Sequence, residues 1–168
     1  MKNLTRILGI LILMGIGSSC ERDEICVEEI TPKLIIRFYD SENPVLLKDV
    51  ISLKVNIEGV DDDYVNETIT TLTDSIALPL NVTGNRTQYV LTLQANEALE
   101  IEENSDTIFI NYTQEDEFVS RSCGYRALFY DVTGGLETDD DNWIDGIETV
   151  INPLEITNEN SAHVKIYH

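Results

Sequence analysis

The chain has 168 residues and a formal net charge of −20 at pH 7, with 31 Asp and Glu against 11 Lys and Arg. This length fits one domain that can bury a sizeable core. Such an acidic chain is unsuited to binding nucleic acid, and to binding anionic lipid through a basic patch, because both kinds of binding need clustered positive charge.

The first 19 residues predict a secretory signal peptide. Two basic residues precede an apolar run from Ile7 to Ile16, and small residues follow it. The run is shorter than the ~20 residues that span a bilayer. Cys20 comes directly after the small residues, as the acylated cysteine does in a bacterial lipobox, although Gly17 occupies a position that is usually apolar. We therefore expect Cys20 to be lipidated. The alternative is an ordinary leader cleaved at the same small residues.

Residues 20–32 are predicted to form a lipidated tether. The segment from Glu21 to Glu24 is charged and shows no apolar period, and Pro32 ends the tether. Acidic residues just after a lipidated cysteine are similar to surface-export signals of Bacteroidota lipoproteins, and a solvated linker is the equal alternative. The leader carries two basic residues and no acids, so the mature chain has a charge of 9 − 31 = −22.

Residues 33–168 predict one all-β domain. Apolar and polar residues alternate with period two in about eight short segments, which is typical of half-buried strands. These segments are Lys33 to Asp40, Val50 to Ile57, Asp74 to Leu80, Thr87 to Gln94, Thr107 to Thr113, Phe118 to Asp131, Gly146 to Ile151 and Ala162 to Tyr167. Polar turns are predicted between them, including residues 114–117 and 134–135, and residues 96–103 could hold one helical turn. The pattern favours a single antiparallel β-sandwich, immunoglobulin-like or transthyretin-like, with seven to eight strands.

The cysteine count supports this organisation. The chain contains only Cys20, Cys26 and Cys123. Acylation of Cys20 leaves two cysteines, which we expect to form a disulfide in an oxidising compartment. The predicted bond joins the tether to the core-facing side of the long strand that carries Cys123. The alternative is a pair of free or buried thiols.

The sequence offers little catalytic chemistry. It lacks a Gly-x-Ser-x-Gly elbow, a phosphate-binding glycine loop and a His-Glu-x-x-His motif. His163 and His168 are the only histidines, and we interpret both as surface residues on opposite strand faces. No cofactor is predicted. A hydrolase that uses two carboxylates remains the least favoured alternative, because acids are abundant.

One acidic loop is the strongest candidate for ligand binding. Asp139, Asp141 and Asp145 supply oxygen ligands of the kind that Ca²⁺ prefers. Trp143 breaks the EF-hand spacing, so a solvated loop is the favoured interpretation and weak Ca²⁺ binding the alternative. Trp143 itself could stack on a sugar or dock a partner, but we favour a hydrophobic plug.

Two short motifs match an acceptor pattern for O-glycosylation of exported Bacteroidota proteins. They are Asp74-Ser75-Ile76 and Asp106-Thr107-Ile108. We expect Ser75 and Thr107 to lie at strand starts, where loops are accessible to a transferase.

Several further segments, taken in order, carry a family resemblance. They are Asp23 to Cys26, Thr31 to Asp40, Asp74 to Leu80, Phe118 to Gly124, Asn142 to Ile144 and His163 to Ile166. With Cys20 before them, these segments resemble DUF6452, a family of small Bacteroidota lipoproteins with no assigned function. The resemblance implies a Gram-negative cell envelope and no activity.

From the residues and the resemblance together we expect a non-catalytic, lipid-anchored module, most readily in the outer membrane, facing either the periplasm or the surface. Its expected partners are the membrane, through the lipid, and an envelope protein or glycan, with no nucleic acid. A glycan-binding or Ca²⁺-binding envelope module is the main alternative.

Overall fold

The computed structural model describes residues 25–27, 31–58, 67–69, 71–94, 97–99, 101–151 and 154–168. These residues form ten strands and one 3-10 turn at Glu97–Leu99. The strands are β1 Leu34–Tyr39, β2 Leu53–Ile57, β3 Glu67–Ile69, β4 Ser75–Leu78, β5 Arg86–Leu93, β6 Asn104–Ser120, β7 Gly124–Leu136, β8 Gly146–Thr149, β9 Glu155–Ile156 and β10 Val164–Tyr167. No helix in this part of the chain is long and apolar enough to cross a membrane.

The strands form two sheets that pack against each other around one apolar core. One sheet has the order β4-β1-β10-β8, and the other has the order β3-β2-β5-β6-β7-β9. Both sheets contribute fully buried side chains to a single cluster, among them Leu34, Ile36, Phe38, Leu53, Val55, Tyr89, Leu91, Ile108, Ile110, Phe129, Val164 and Ile166. The predicted all-β sandwich is confirmed.

The alternating sequence pattern is the physical basis of this core. In β1 the buried residues are every second one, and the same period holds along the first half of β6. Because successive side chains of a strand point to opposite faces, each apolar set lies on one face of its sheet. Burial of that face against the other sheet is then the favourable term that holds the two layers together.

The predicted antiparallel pairing has one exception among the described strands. β1 and β10 are parallel neighbours, with Ile36 beside Val164 and Phe38 beside Ile166. Parallel strands need a long crossover between them. Here the whole intervening chain, including the six-stranded sheet, provides it, so the first and last strands lie side by side.

The predicted turns at residues 114–117 and 134–135 are also wrong. Residues 114–117 lie within β6, and Gly134 and Gly135 lie within β7. Gly135 is directly opposite Phe109, and a Cβ built on Gly135 would overlap the Phe109 ring. The absence of a side chain at Gly135 therefore leaves room for the Phe109 ring on this face of the sheet. Arg86 stacks on that ring, with its guanidinium carbon 4.2 Å from the ring centroid.

An irregularity in the β6–β7 ladder lies near the base of a protruding arm. The register shifts between Asn111 and Thr113, and Asp131 opposite it has a positive φ of 52°. Such bulges bend a strand and increase its twist. β5 pairs with β6 only up to Asn111, and β9 pairs with β7 only at Phe129 and Tyr130. Past the residues that pair with β9, β6 and β7 continue as a two-stranded hairpin arm.

Candidate functional site

The end of the hairpin arm holds the predicted disulfide. Cys26 and Cys123 are bonded, with Cα atoms 4.9 Å apart, inside the ~7 Å limit for an unstrained bridge. Cys123 lies in the turn between β6 and β7, not on a core-facing strand position as the sequence suggested. Its amide donates to Ser120 Oγ at 3.1 Å, and Gly124 follows with a positive φ of 74°. The disulfide therefore closes on the tip of the arm.

A second contact holds the tether against the arm. The Ala127 amide donates to Thr31 Oγ1 at 3.1 Å. Among the described residues, β9 covers this edge of β7 only at Phe129 and Tyr130, so no strand pairs with Ala127 there. The Thr31 hydroxyl therefore takes the place of a strand partner for the Ala127 amide. Unpaired strand edges invite association with other chains. The tether thus protects part of the β7 edge and fixes where the chain approaches the arm.

Cys20, the predicted lipidation site, lies outside the described residues, as do the whole predicted leader and most of the predicted tether. Its acylation stays a prediction.

The acidic loop at the other end of the molecule is organised by its own hydrogen bonds. Asp139 Oδ1 accepts from the Asp141 amide, and Asn142 Oδ1 accepts from the Asp139 amide, both at 3.1 Å. Asn142 Nδ2 donates to Glu137 O at 3.2 Å. The amide of Asp145 donates to Tyr167 O at 2.8 Å. These side chains act as turn caps, as short polar side chains often do in loops.

A buried carboxylate lies beneath this loop and was not predicted as a site. Asp106 is fully buried, and its Oδ2 accepts a hydrogen bond from the Ile144 amide at 2.8 Å. Burial raises the pKa of Asp106, and the hydrogen bond from Ile144 partly opposes that rise. The sequence does hold a signal, because Asp106 is in phase with the buried Ile108 and Ile110 on the core face of β6. Its position makes it an anchor for the loop.

The predicted Ca²⁺ ligands do not converge. Among the described residues, no three His, Cys, Asp or Glu side chains form a group that could hold a metal ion. Ca²⁺ takes six to eight oxygen ligands, and Asp139 is already engaged within the loop. The geometry of the loop is that of a capped turn.

Trp143 packs against the core beside this loop. The indole is half-buried, and Nε1 donates to Leu91 O at 3.0 Å. Its ring meets that of His168 edge-on at a centroid distance of 5.6 Å. The polar atom of the indole is thus used within the protein, and the ring closes the end of the sandwich.

The interpretation of the histidines as surface residues is wrong for His163, which is 2% exposed. Its Nδ1 accepts from the Ile35 amide at 2.9 Å, so Nε2 carries the hydrogen and donates to Asn158 O at 3.0 Å. Burial lowers the pKa of His163. The ring joins β1 to the loop before β10. His163 does not fall on a core-facing position of the alternating pattern, so no pattern in the sequence indicated that it would be buried. His168 is half-buried, and burial also lowers its pKa.

The two glycosylation candidates occupy different environments. Ser75 is the first residue of β4, which lies at the edge of its sheet. Thr107 lies inside β6, paired with Val90 of β5, and does not mark a strand start. A transferase that acts on the folded protein would reach Ser75 more readily, and glycosylation stays a prediction.

Comparison with known proteins gives one match. The model of DUF6452, a family of unknown function, matches residues 52–168, which is more than half of the chain. No curated protein and no solved structure matches.

Proposed function

The chain belongs to the DUF6452 family, and we propose that it is a non-catalytic, lipid-anchored cell-envelope protein of a Bacteroidota-type cell, acting as a structural or interaction module. The observation that carries the proposal is the Cys26–Cys123 disulfide. It uses two of the three cysteines and leaves Cys20, which directly follows the small residues of the leader, as the acceptor for lipid. A disulfide also suits an exported chain.

The use of buried polar groups supports a non-catalytic role. General acid–base catalysis needs a group that can reach substrate and exchange a proton with it. His163 has both ring nitrogens bound to backbone groups, and Asp106 holds the Ile144 amide beneath the acidic loop. Both groups bind backbone amides or carbonyls inside the protein, and burial is the main cause of their altered pKa values.

Metabolic labelling tests the anchor. Cells that express the full chain and receive a labelled fatty acid should incorporate the label, and the protein should sediment with membranes. Cys20→Ala should remove the label and release the protein. The matched control is Cys26→Ala with Cys123→Ala, which removes the other two cysteines and should keep label and sedimentation. A Cys20→Ala protein that is still labelled and membrane-bound would contradict the proposal.

A further inference from the structure

The hairpin arm carries an aromatic pair that the core does not cover. Phe118 and Tyr125 are direct partners across β6 and β7, and their side chains are 56% and 68% exposed. Their rings meet edge-on at 5.4 Å. The register places this pair on the same face as Ala127 and Phe129, which are buried in the core. The apolar face of the sheet therefore continues beyond the sandwich into solvent.

The tether adds two more exposed apolar side chains at the same place. Ile25 and Val27 flank Cys26 and are 84% and 89% exposed. Since Cys26 is bonded to Cys123, both lie at the tip of the arm. An apolar cluster on the surface of a soluble domain marks an interaction site, whereas scattered single residues do not. We call Ile25, Val27, Phe118 and Tyr125 the tip cluster.

The β6–β7 turn at the tip carries basic residues and no acidic ones. Residues 118–127 contain two Arg and no Asp or Glu, although the chain as a whole carries −20. Arg121 is exposed at the turn, and Arg126 binds Glu117 of the arm at 2.5 Å. At the far end of β6, the loop from Asp139 to Asp145 contains four Asp. Acidic residues nevertheless border the tip, with Glu115, Asp116 and Glu117 just before Phe118 and Glu24 just before Ile25.

The tip is also the part of the domain closest along the chain to the proposed lipid. Cys20 precedes Cys26 by six residues, which span at most about 20 Å when fully extended. Ile144, by contrast, binds Asp106, twelve residues before Phe118 on β6, so that end lies about 40 Å from the tip at ~3.3 Å per residue. If Cys20 is acylated, the disulfide holds the tip near the bilayer.

From these observations we propose that the tip cluster docks on the lipid bilayer that holds the acylated Cys20, so that the domain has a fixed orientation. Aromatic side chains favour the headgroup region, where an apolar ring and a polar neighbour are both satisfied. Arg121 faces the anionic headgroups, while the acidic loop points away from a surface that would repel it. This inference depends on the proposed lipid anchor.

Fluorescence quenching tests the orientation on the full, lipidated chain. The protein is reconstituted into vesicles of phosphatidylethanolamine and phosphatidylglycerol with brominated acyl chains, which quench indoles near the hydrocarbon. Phe118→Trp places an indole at the tip, and Tyr125→Trp is a second probe there. Val45→Trp is the matched control, because Val45 is 81% exposed in the turn after β1. That turn is on the acidic side, since Tyr39 and Ser41 bind His168, which contacts Trp143.

The native protein, with Trp143 alone, should show no quenching. Phe118→Trp and Tyr125→Trp should each add emission that is blue-shifted and largely lost in brominated vesicles, and Val45→Trp should add emission that is not. Vesicle-bound protein whose indole at position 118 or 125 is quenched no more than that of Val45→Trp would overturn the docking inference alone. Protein that does not float with the vesicles at all would contradict the lipid anchor, and with it this inference.

Discussion

Removing the disulfide tests how the tether is attached to the domain. The change is Cys26→Ser with Cys123→Ser, made in a Cys20→Ala chain so that the protein is in solution. The two cysteines are 97 residues apart. If the folded protein held the two cysteines in the same positions without the bond, the bond would restrict only the unfolded chain. Closing a loop of this length would then stabilise the domain by ~4.7 kcal/mol.

The structure gives reason to expect a smaller loss. Cys26 precedes the first strand by eight residues (34 − 26), and the Ala127–Thr31 hydrogen bond also joins the tether to the arm. In the folded chain, breaking the bond frees a loop of at most about eight residues. Loop-closure entropy scales as three-halves RT times the logarithm of loop length, so the ratio of 97 to 8 leaves about 2 kcal/mol.

Urea denaturation monitored by Trp143 fluorescence measures this loss. With a slope of about 1–3 kcal/mol per molar urea, the midpoint should fall by roughly 1 M. The reduced and alkylated Cys20→Ala chain is the control and should behave like the double variant. A loss near ~4.7 kcal/mol would refute the argument, because it would mean that residues 26–33 are held rigidly without the bond. An unchanged midpoint would contradict the disulfide itself.

Three further predictions concern buried polar groups and one glycine. The pKa of His163 is lower in the folded protein than in the unfolded chain, so the stability that the neutral ring contributes is complete above about pH 6.5. As the pH falls from there towards the folded pKa, the free energy of unfolding should decrease by up to ~1.4 kcal/mol per pH unit. His163→Gln should flatten this pH dependence in urea titrations between pH 7.5 and 5, and an unchanged dependence would contradict the prediction. Asp106→Ala leaves the Ile144 amide without its acceptor and should lower the free energy of unfolding by about 1–3 kcal/mol at pH 7. Asp106→Asn keeps an acceptor and should lower it less, because burial makes the ionised carboxylate unfavourable and raises its pKa. Equal losses of stability in urea denaturation would refute this prediction. Gly135→Ala should displace the Phe109 ring and lower the free energy of unfolding by about 1–3 kcal/mol in the same assay. Adding Phe109→Ala to this variant removes the overlapping ring and should recover part of the loss. A double variant that is less stable than Gly135→Ala would contradict the proposed overlap between position 135 and the ring.

The sequence by itself determined the alternating strands of the core and the disulfide partners. Alternation with period two is a local property, so Leu34, Ile36 and Phe38 could be assigned to one buried face without knowledge of any neighbour. The pairing of Cys26 with Cys123 followed from the count of cysteines in an exported chain. The match of the family model to residues 52–168 covers four of the six segments that carried the resemblance.

Only the tertiary structure decided which strands are neighbours and which apolar residues remain uncovered. Polar residues 114–117 predict a turn, but they continue β6 because they pair with residues 126–129 of β7, a distant and partly buried segment. Tyr125 shares the alternating pattern of Phe129 and yet lies in solvent, since the opposite sheet does not extend that far. His163 is buried because β1 and the loop before β10 meet around it from positions more than 120 residues apart. These outcomes depend on pairing between distant segments, and a local pattern carries no information about the partner that will cover it.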